Sequence, residues 1–127
     1  MAKLLKYLFV LVIIGAAGGV GSIMIQLARY LSGLTVIATA SRPETREWVT
    51  SLGADHVINH ARPLGDELSA TGYTRVDYIA SLTNTAEHLS EIIDIIAPQG
   101  HLGVIDDPGT LDIMPFKRKS VSIHWEF

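Results

Sequence analysis

From Tyr7 to Ala28 the chain carries no charged residue, and in the middle of that run stands Gly15-Ala-Ala-Gly-Gly-Val-Gly21. On hydropathy alone such a run is long enough to cross a bilayer. Lys3 and Lys6 precede it as they would precede a signal sequence, and Gly15 and Gly19 match a membrane GxxxG spacing. The glycines argue for a different reading. Each glycine inside a helix costs about 1 kcal/mol relative to alanine, whereas a glycine cluster makes a good tight turn. On that reading Leu8 to Ile14 is a short, fully buried strand rich in branched residues. A turn follows. Ser22 to Leu31 is then a helix with Val20, Ile23, Leu27 and Leu31 on its apolar face, stopped at Ser32-Gly33. No membrane partner is expected.

The rest of the chain repeats this alternation. Leu34 to Thr39 reads as a second strand and Arg42 to Leu52 as a second helix. Ser41 and Glu44 are placed as a capping box for that helix, with Gly53 just past its end. His56 to Asn59 is a third strand, Leu64 to Ala70 a short helix, and Val76 to Ala80 a fourth strand. Asn84 opens a long helix with Leu89, Ile92, Ile93 and Ile96 at helical spacing. Pro98-Gln99-Gly100 turns into a fifth strand, His101 to Ile105. At the end Val121, Ile123, Trp125 and Phe127 alternate with Ser122, His124 and Glu126, the period of a strand with one covered face. Alternating strands and helices specify an α/β fold, a parallel sheet with helices on both faces. Six strands are the number in the doubly wound Rossmann fold, whose strand order is 3-2-1-4-5-6. At 127 residues the chain is expected to be a single domain, 1–127.

Ten Lys and Arg against thirteen Asp and Glu give a formal charge of −3, which argues against nucleic acid as a partner. The short basic cluster Lys117-Arg118-Lys119 reads as a solvated turn. The chain has no cysteine, so disulfides, a thiolate zinc site and a cysteine nucleophile are excluded. A cytoplasmic location fits that composition. His56 and His60 have a ligand-like spacing, but on an extended segment they would lie about 13 Å apart, too far to share a metal. His101 and His124 have no ligand cluster near them in sequence. There is no G-x-S-x-G elbow and no lysine after the glycines. None of the four tyrosines has a lysine four residues on. Asp106-Asp107, before Pro108, reads as a loop end. No catalytic or metal-binding residue is therefore assigned.

The glycine turn carries the chemistry. A helix N-terminus offers unpaired amide hydrogens and a positive dipole end to a pyrophosphate. Glycine lets the backbone approach it and lets helix and strand pack closely. Ala16-Ala17-Gly18-Gly19-Val20-Gly21 reads as A-x-G-x-x-G, placed after a strand and before a helix. The end of the second strand, about 20 residues on, is where an NAD site carries Asp or Glu for the ribose hydroxyls. This chain has Thr39-Ala40-Ser41-Arg42 there, with Arg46 one turn later. A hydroxyl and a guanidinium suit a 2′-phosphate, so NADP(H) is expected ahead of NAD(H). The plainer alternative makes Ser41 a helix cap and Arg42 a solvated side chain.

GAAGGVGS, IQLAR, VIATASRPE, LGADHVIN and APQGHLGVI, in that order, resemble the medium-chain dehydrogenase/reductase superfamily. The branch that looks nearest is that of zinc-type alcohol dehydrogenases and quinone oxidoreductases. The resemblance covers about residues 8–127. It implies the cofactor domain of an NADPH-dependent oxidoreductase that reduces a carbonyl, a quinone or an activated alkene. It implies that Ala17, Gly18, Gly19, Val20 and Gly21 line the pyrophosphate. Ser41 and Arg42, with Arg46 behind them, would face the adenosine ribose phosphate. The loop Ser81, Leu82 and Thr83 and the strand end Val104 and Ile105 would line the nicotinamide side. Relatives often carry Tyr after the VIN segment, where this chain has His60. Family members carry a separate catalytic domain, so this chain alone is expected to turn over nothing. A stand-alone nucleotide-binding or sensing module is the alternative. The last strand, 121–127, is expected at a sheet edge, where two copies would pair.

Overall fold

A computed structural model describes residues 9–126; Leu8, the first residue of the expected first strand, and Phe127 lie outside that range. Six parallel strands form one sheet in the order β3-β2-β1-β4-β5-β6. They are β1 (Val10–Ile14), β2 (Thr35–Thr39), β3 (His56–Ile58), β4 (Val76–Ser81), β5 (Ile96–Val104) and β6 (Ser122–Trp125). The helices between them are α1 (Gly19–Leu27), α2 (Pro43–Ser51), α3 (Leu64–Ala70) and α4 (Thr85–Ile95). This is the expected doubly wound order. The described part of the Tyr7–Ala28 run is a buried strand and a short helix that ends in a π-helical residue. No helix among the described residues is long and apolar enough to cross a membrane.

Every residue of β1 and β2 is buried, as strands covered on both faces require. Alternate residues then feed two cores. Val10, Val12, Ile14 and Ile37 pack with Leu64, Leu68, Ile92 and Phe116. Leu11, Ile13, Val36 and Ala38 pack with Ile25, Ala28 and Val49. Burying one such Ile or Leu fully is worth roughly 1.5–3 kcal/mol.

Four expectations are corrected. First, α1 turns the other way. Gly21 and Ile25, with Ala28 beyond, face the sheet. Val20, Ile23, Leu27 and Leu31 are 54%, 60%, 52% and 79% exposed. The reason is closeness: a Cβ on Gly21 would stand 2.4 Å from the Ala16 carbonyl oxygen, so only small residues fit at that contact. The helix also starts at Gly19 and widens into a π-helical turn over Ala28–Ser32.

Second, Arg42, not Ser41, is the N-cap of α2. Pro43 takes the first helical position and holds the residue before it in an extended conformation. Thr45 Oγ1 then accepts the Arg42 N–H at 3.2 Å. Third, the Pro98–Gly100 turn lies inside β5, not ahead of it. Val76 pairs with Ile96 and Tyr78 with His101, so the intervening residues bulge out of the ladder.

Fourth, the basic cluster is not simply solvated. It closes a 3₁₀ turn, Met114–Lys119, and Lys119 Nζ donates to the carbonyls of Ile93 (2.6 Å), Asp94 (3.2 Å) and Ile96 (2.8 Å). A cation thus caps the C-terminus of α4, the favourable end of its dipole. The last strand sits at the sheet edge as expected. Its covered face is thinner than its period implies: Ile123 packs on the core while Trp125 is 61% exposed.

Candidate functional site

The carboxyl ends of β1, β2, β4 and β5 meet around the glycine turn. Three backbone or side-chain ties hold them. Gly15 N–H donates to Thr39 Oγ1 (3.0 Å), Leu82 N–H to the Ile14 carbonyl (3.0 Å), and Ile105 N–H to the Ser81 carbonyl (3.1 Å). The glycines of the turn divide into two kinds. Gly15 has φ +82 and Gly21 sits against Ala16, so the protein's own backbone requires both. A Cβ on Gly19 would meet nothing within 4 Å, and one on Gly18 only the Gly15 carbonyl oxygen at 3.8 Å. The space before these two is open to a ligand. The first helical bond of α1 runs from Ser22 N–H to the Gly18 carbonyl (2.9 Å). The N–H groups of Gly19, Val20 and Gly21 precede it and carry the positive end of the helix dipole. Ser22 Oγ donates to the Gly18 carbonyl (2.7 Å) and accepts from Trp48 Nε1 (2.9 Å), which ties α2 to the turn.

Two hollows flank the turn and share Gly15 and Gly18. The one beside β2 holds about 260 Å³ and is lined by Gly15, Ala17, Gly18, Thr39, Ala40, Ser41, Arg42, Thr45 and His60. None of these is a carboxylate. Arg42 is exposed and stands 3.5 Å from Glu44. Arg46 is directed elsewhere: its guanidinium donates to the Ala40 and Val57 carbonyls, both at 3.2 Å, and it lies outside this lining. His60 Nδ1 lies 3.1 Å from Thr39 Oγ1. Burial, and then the nearby His88, hold the His60 pKa below its usual value. His56 does not join it; its ring packs edge-on against Tyr73.

The second hollow, about 350 Å³, is lined by Gly15, Gly18, Gly19, Val20, Gly21, Leu82, Thr83 and Ile105. Ser81, expected here, is fully buried behind it, its Oγ 2.6 Å from Thr85 Oγ1. Asp106 accepts both the Thr85 hydroxyl and the Thr85 N–H. It therefore caps the start of α4 and fastens the end of β5 to it. Val104 is buried and turns to another hollow with Asp106, Asp107 and Trp125. The sequence reading gave no site role to Thr39, Thr45 or Asp106, and took Asp106 for a loop end. Thr39, a polar residue closing an otherwise apolar strand at the ligand end of the sheet, was the available signal.

Comparison with known proteins identifies the family and the fold. The profile of the family described as zinc-binding dehydrogenase matches residues 19–124. A zinc-type alcohol dehydrogenase-like protein of Staphylococcus aureus is 42% identical over 119 residues, 91% of this chain and 34% of that protein. An NAD-dependent alcohol dehydrogenase of Saccharolobus solfataricus is 36% identical over 92 residues, 71% of this chain and 26% of that protein. A crystal structure from Rhizobium etli, described as a zinc-dependent alcohol dehydrogenase, superposes with a TM-score of 0.89 at 58% identity, covering 93% of this chain and 34% of that one. The chain thus spans about a quarter to a third of the length of these relatives. The zinc in the family's name finds no site here: among the described residues no three His, Asp or Glu side chains stand together, and the chain has no cysteine. The chain belongs to the zinc-binding dehydrogenases of the medium-chain dehydrogenase/reductase superfamily, as their nucleotide-binding domain.

Proposed function

We propose that residues 1–127 act as the NADP(H)-binding domain of a cytoplasmic oxidoreductase that reduces a carbonyl, a quinone or an activated alkene. The observation that carries the cofactor choice is the hollow beside β2. Its lining includes Ser41 and Arg42 and no carboxylate. A carboxylate there would repel a 2′-phosphate; a guanidinium gives it forked, charge-assisted hydrogen bonds. The Saccharolobus relative is named as NAD-dependent, so the preference of this chain has to be measured directly. When bound, the cofactor supplies a hydride. The chain's residues bind and orient it: the free N–H groups of Gly19 to Gly21 meet the pyrophosphate, and Leu82, Thr83 and Ile105 bound the nicotinamide.

Titration calorimetry with NADPH and NADH on the wild type and on Arg42→Ala tests the choice. A preference for NADPH of about tenfold, worth about 1.4 kcal/mol, is expected, and Arg42→Ala should remove most of it. Equal wild-type affinities would refute it. The chain alone should bind cofactor without reducing quinones or aldehydes, because hydride transfer needs substrate held about 3–3.5 Å from the donor carbon and these hollows leave that face open. We also infer that two copies pair through β6, whose outer edge is unpaired among the described residues. Light scattering that shows a monomer at high micromolar concentration would count against pairing.

A further inference from the structure

We propose that His101 and His124 form a two-imidazole site for a late divalent transition-metal ion, such as Cu(II) or Ni(II), on the exposed face of the last two strands. Leu102 and Val104 of β5 and Ile123 of β6 point into the core on one side of the sheet. His101, Gly103, Ser122 and His124 therefore turn to the other side. There α1 and α2 pack over β1 and β2, and both histidines are exposed. The strands run parallel, with His101 opposite Ser122 and Gly103 opposite His124. A glycine opposite His124 leaves that ring free to lean towards His101, and His101 Nδ1 stands 3.3 Å from His124 Nε2. A Cβ on Gly103 would meet only the Ile79 carbonyl oxygen, at 4.0 Å, so the fold's own packing does not demand a glycine there. Tyr78 steadies His101 from its other side, the two rings stacked with centroids 5.6 Å apart.

The spacing suits coordination. Two nitrogens bound to one ion at about 2.0–2.1 Å stand roughly 3.3–3.4 Å apart in a tetrahedral site. As neighbours in a square-planar site they stand roughly 2.8–3.0 Å apart. The separation here meets the first geometry and reaches the second by a small tilt of one ring. Without a metal, one ring donates the shared proton and the other accepts it. Loading moves that proton to the donor ring's other nitrogen, which has no hydrogen-bond partner among the described residues. Two bare lone pairs are then left for the ion, and imidazole is a ligand that these ions favour. Among the described residues no third His, Asp or Glu completes a cluster, so water takes the remaining positions. The site is thus open and exchangeable, unlike a closed four-ligand structural site. The other histidines on the sheet's margins are engaged elsewhere: His56 packs on Tyr73, and His88 sits 3.1 Å from Glu91.

The test is calorimetric titration of the whole chain with a Cu(II) salt and with a Ni(II) salt, without cofactor. The binding that depends on the two rings should amount to one ion per chain, with Cu(II) held more tightly than Ni(II). His101→Gln and His124→Gln each remove one of two ligands from an exposed position, and each should weaken that binding by about tenfold or more. The double variant should lose it, and His56→Gln should leave it unchanged. Electron paramagnetic resonance of the Cu(II) complex should show coupling to two imidazole nitrogens in the wild type and to one in either single variant. Ni(II) should also raise the denaturant stability of the wild type and not that of the double variant. Wild-type binding no tighter than that of the single variants overturns the proposal, because the two rings would then only hydrogen-bond to each other. One ion per two chains overturns it as well, because the ligands would then come from two copies.

Discussion

The two hollows beside the glycine turn are built on opposite plans. The one at β2 has Arg42 and His60 in its wall, and both are loosely held: Arg42 is exposed and His60 has one anchored nitrogen. The one at β4 and β5 is walled by Leu82, Thr83 and Ile105, and behind it Ser81, Thr85 and Asp106 form a closed hydrogen-bonded set. The first plan selects a ligand by charge. The second fixes the position of a wall. Substitutions on the two sides should therefore differ in kind: those at β2 should change which cofactor binds, and those behind β4 should change how well any cofactor binds.

The glycine turn belongs to both plans, and the largest effect is expected there. Gly21→Ala places a Cβ 2.4 Å from a backbone oxygen that cannot step aside. It should cost about 1–3 kcal/mol of stability or more and remove binding of both cofactors. Gly19→Ala meets nothing. Its stability should stay within about 0.5 kcal/mol of wild type, while both affinities fall because the new methyl enters the ligand's space. Denaturant unfolding beside calorimetry separates the two. If the variants behave alike, the distinction between structural and ligand-facing glycines fails.

Asp106→Asn comes next. Replacing one of the two acceptor oxygens for Thr85 by a donor should lower stability by about 1–3 kcal/mol and weaken NADPH and NADH by the same factor. A change in the NADPH/NADH ratio would break the comparison, because it would make the β4 side selective as well. Arg46→Ala should have the smallest effect. Its two hydrogen bonds run from a charged guanidinium to carbonyls, a kind worth about 1.5–3 kcal/mol each when buried, and partial exposure reduces this well below that range. The cofactor ratio should not move. If it does, this guanidinium leaves its carbonyls when ligand arrives, and the β2 hollow has a second mobile cation.

Much of this was readable in the sequence because it depends on backbone rules. Strand order follows from alternation, and the turn from its glycines. The errors share a cause. Periodicity shows that α1 has an apolar stripe at Val20, Ile23 and Leu27, but it does not show which of two apolar faces meets the sheet. Contact distance decided that, through Gly21. Likewise Ser41 is a better capping residue than Arg42, yet Pro43 fixed the position of the cap. The site residues to which the sequence assigned no role, Thr39 and Asp106, act through partners 24 and 21 positions away in sequence, beyond the reach of any local pattern.

The outward stripe of α1 has a bearing on how freely this sequence can vary. Val20, Ile23, Leu27, Tyr30 and Leu31 are all more than half exposed, so the fold draws little from them. Leu27→Glu and Leu31→Glu should shift the unfolding free energy by no more than about 0.5 kcal/mol, against several times that for Ile25→Ala on the opposite face. In a mutational scan selected for folding alone, these five positions would drift to polar residues within a few rounds while Gly21, Ile25 and Ala28 stayed fixed. A scan selected for assembly into a larger protein would hold the stripe, and the difference between the two profiles would measure how much of this helix is kept for something other than its own fold.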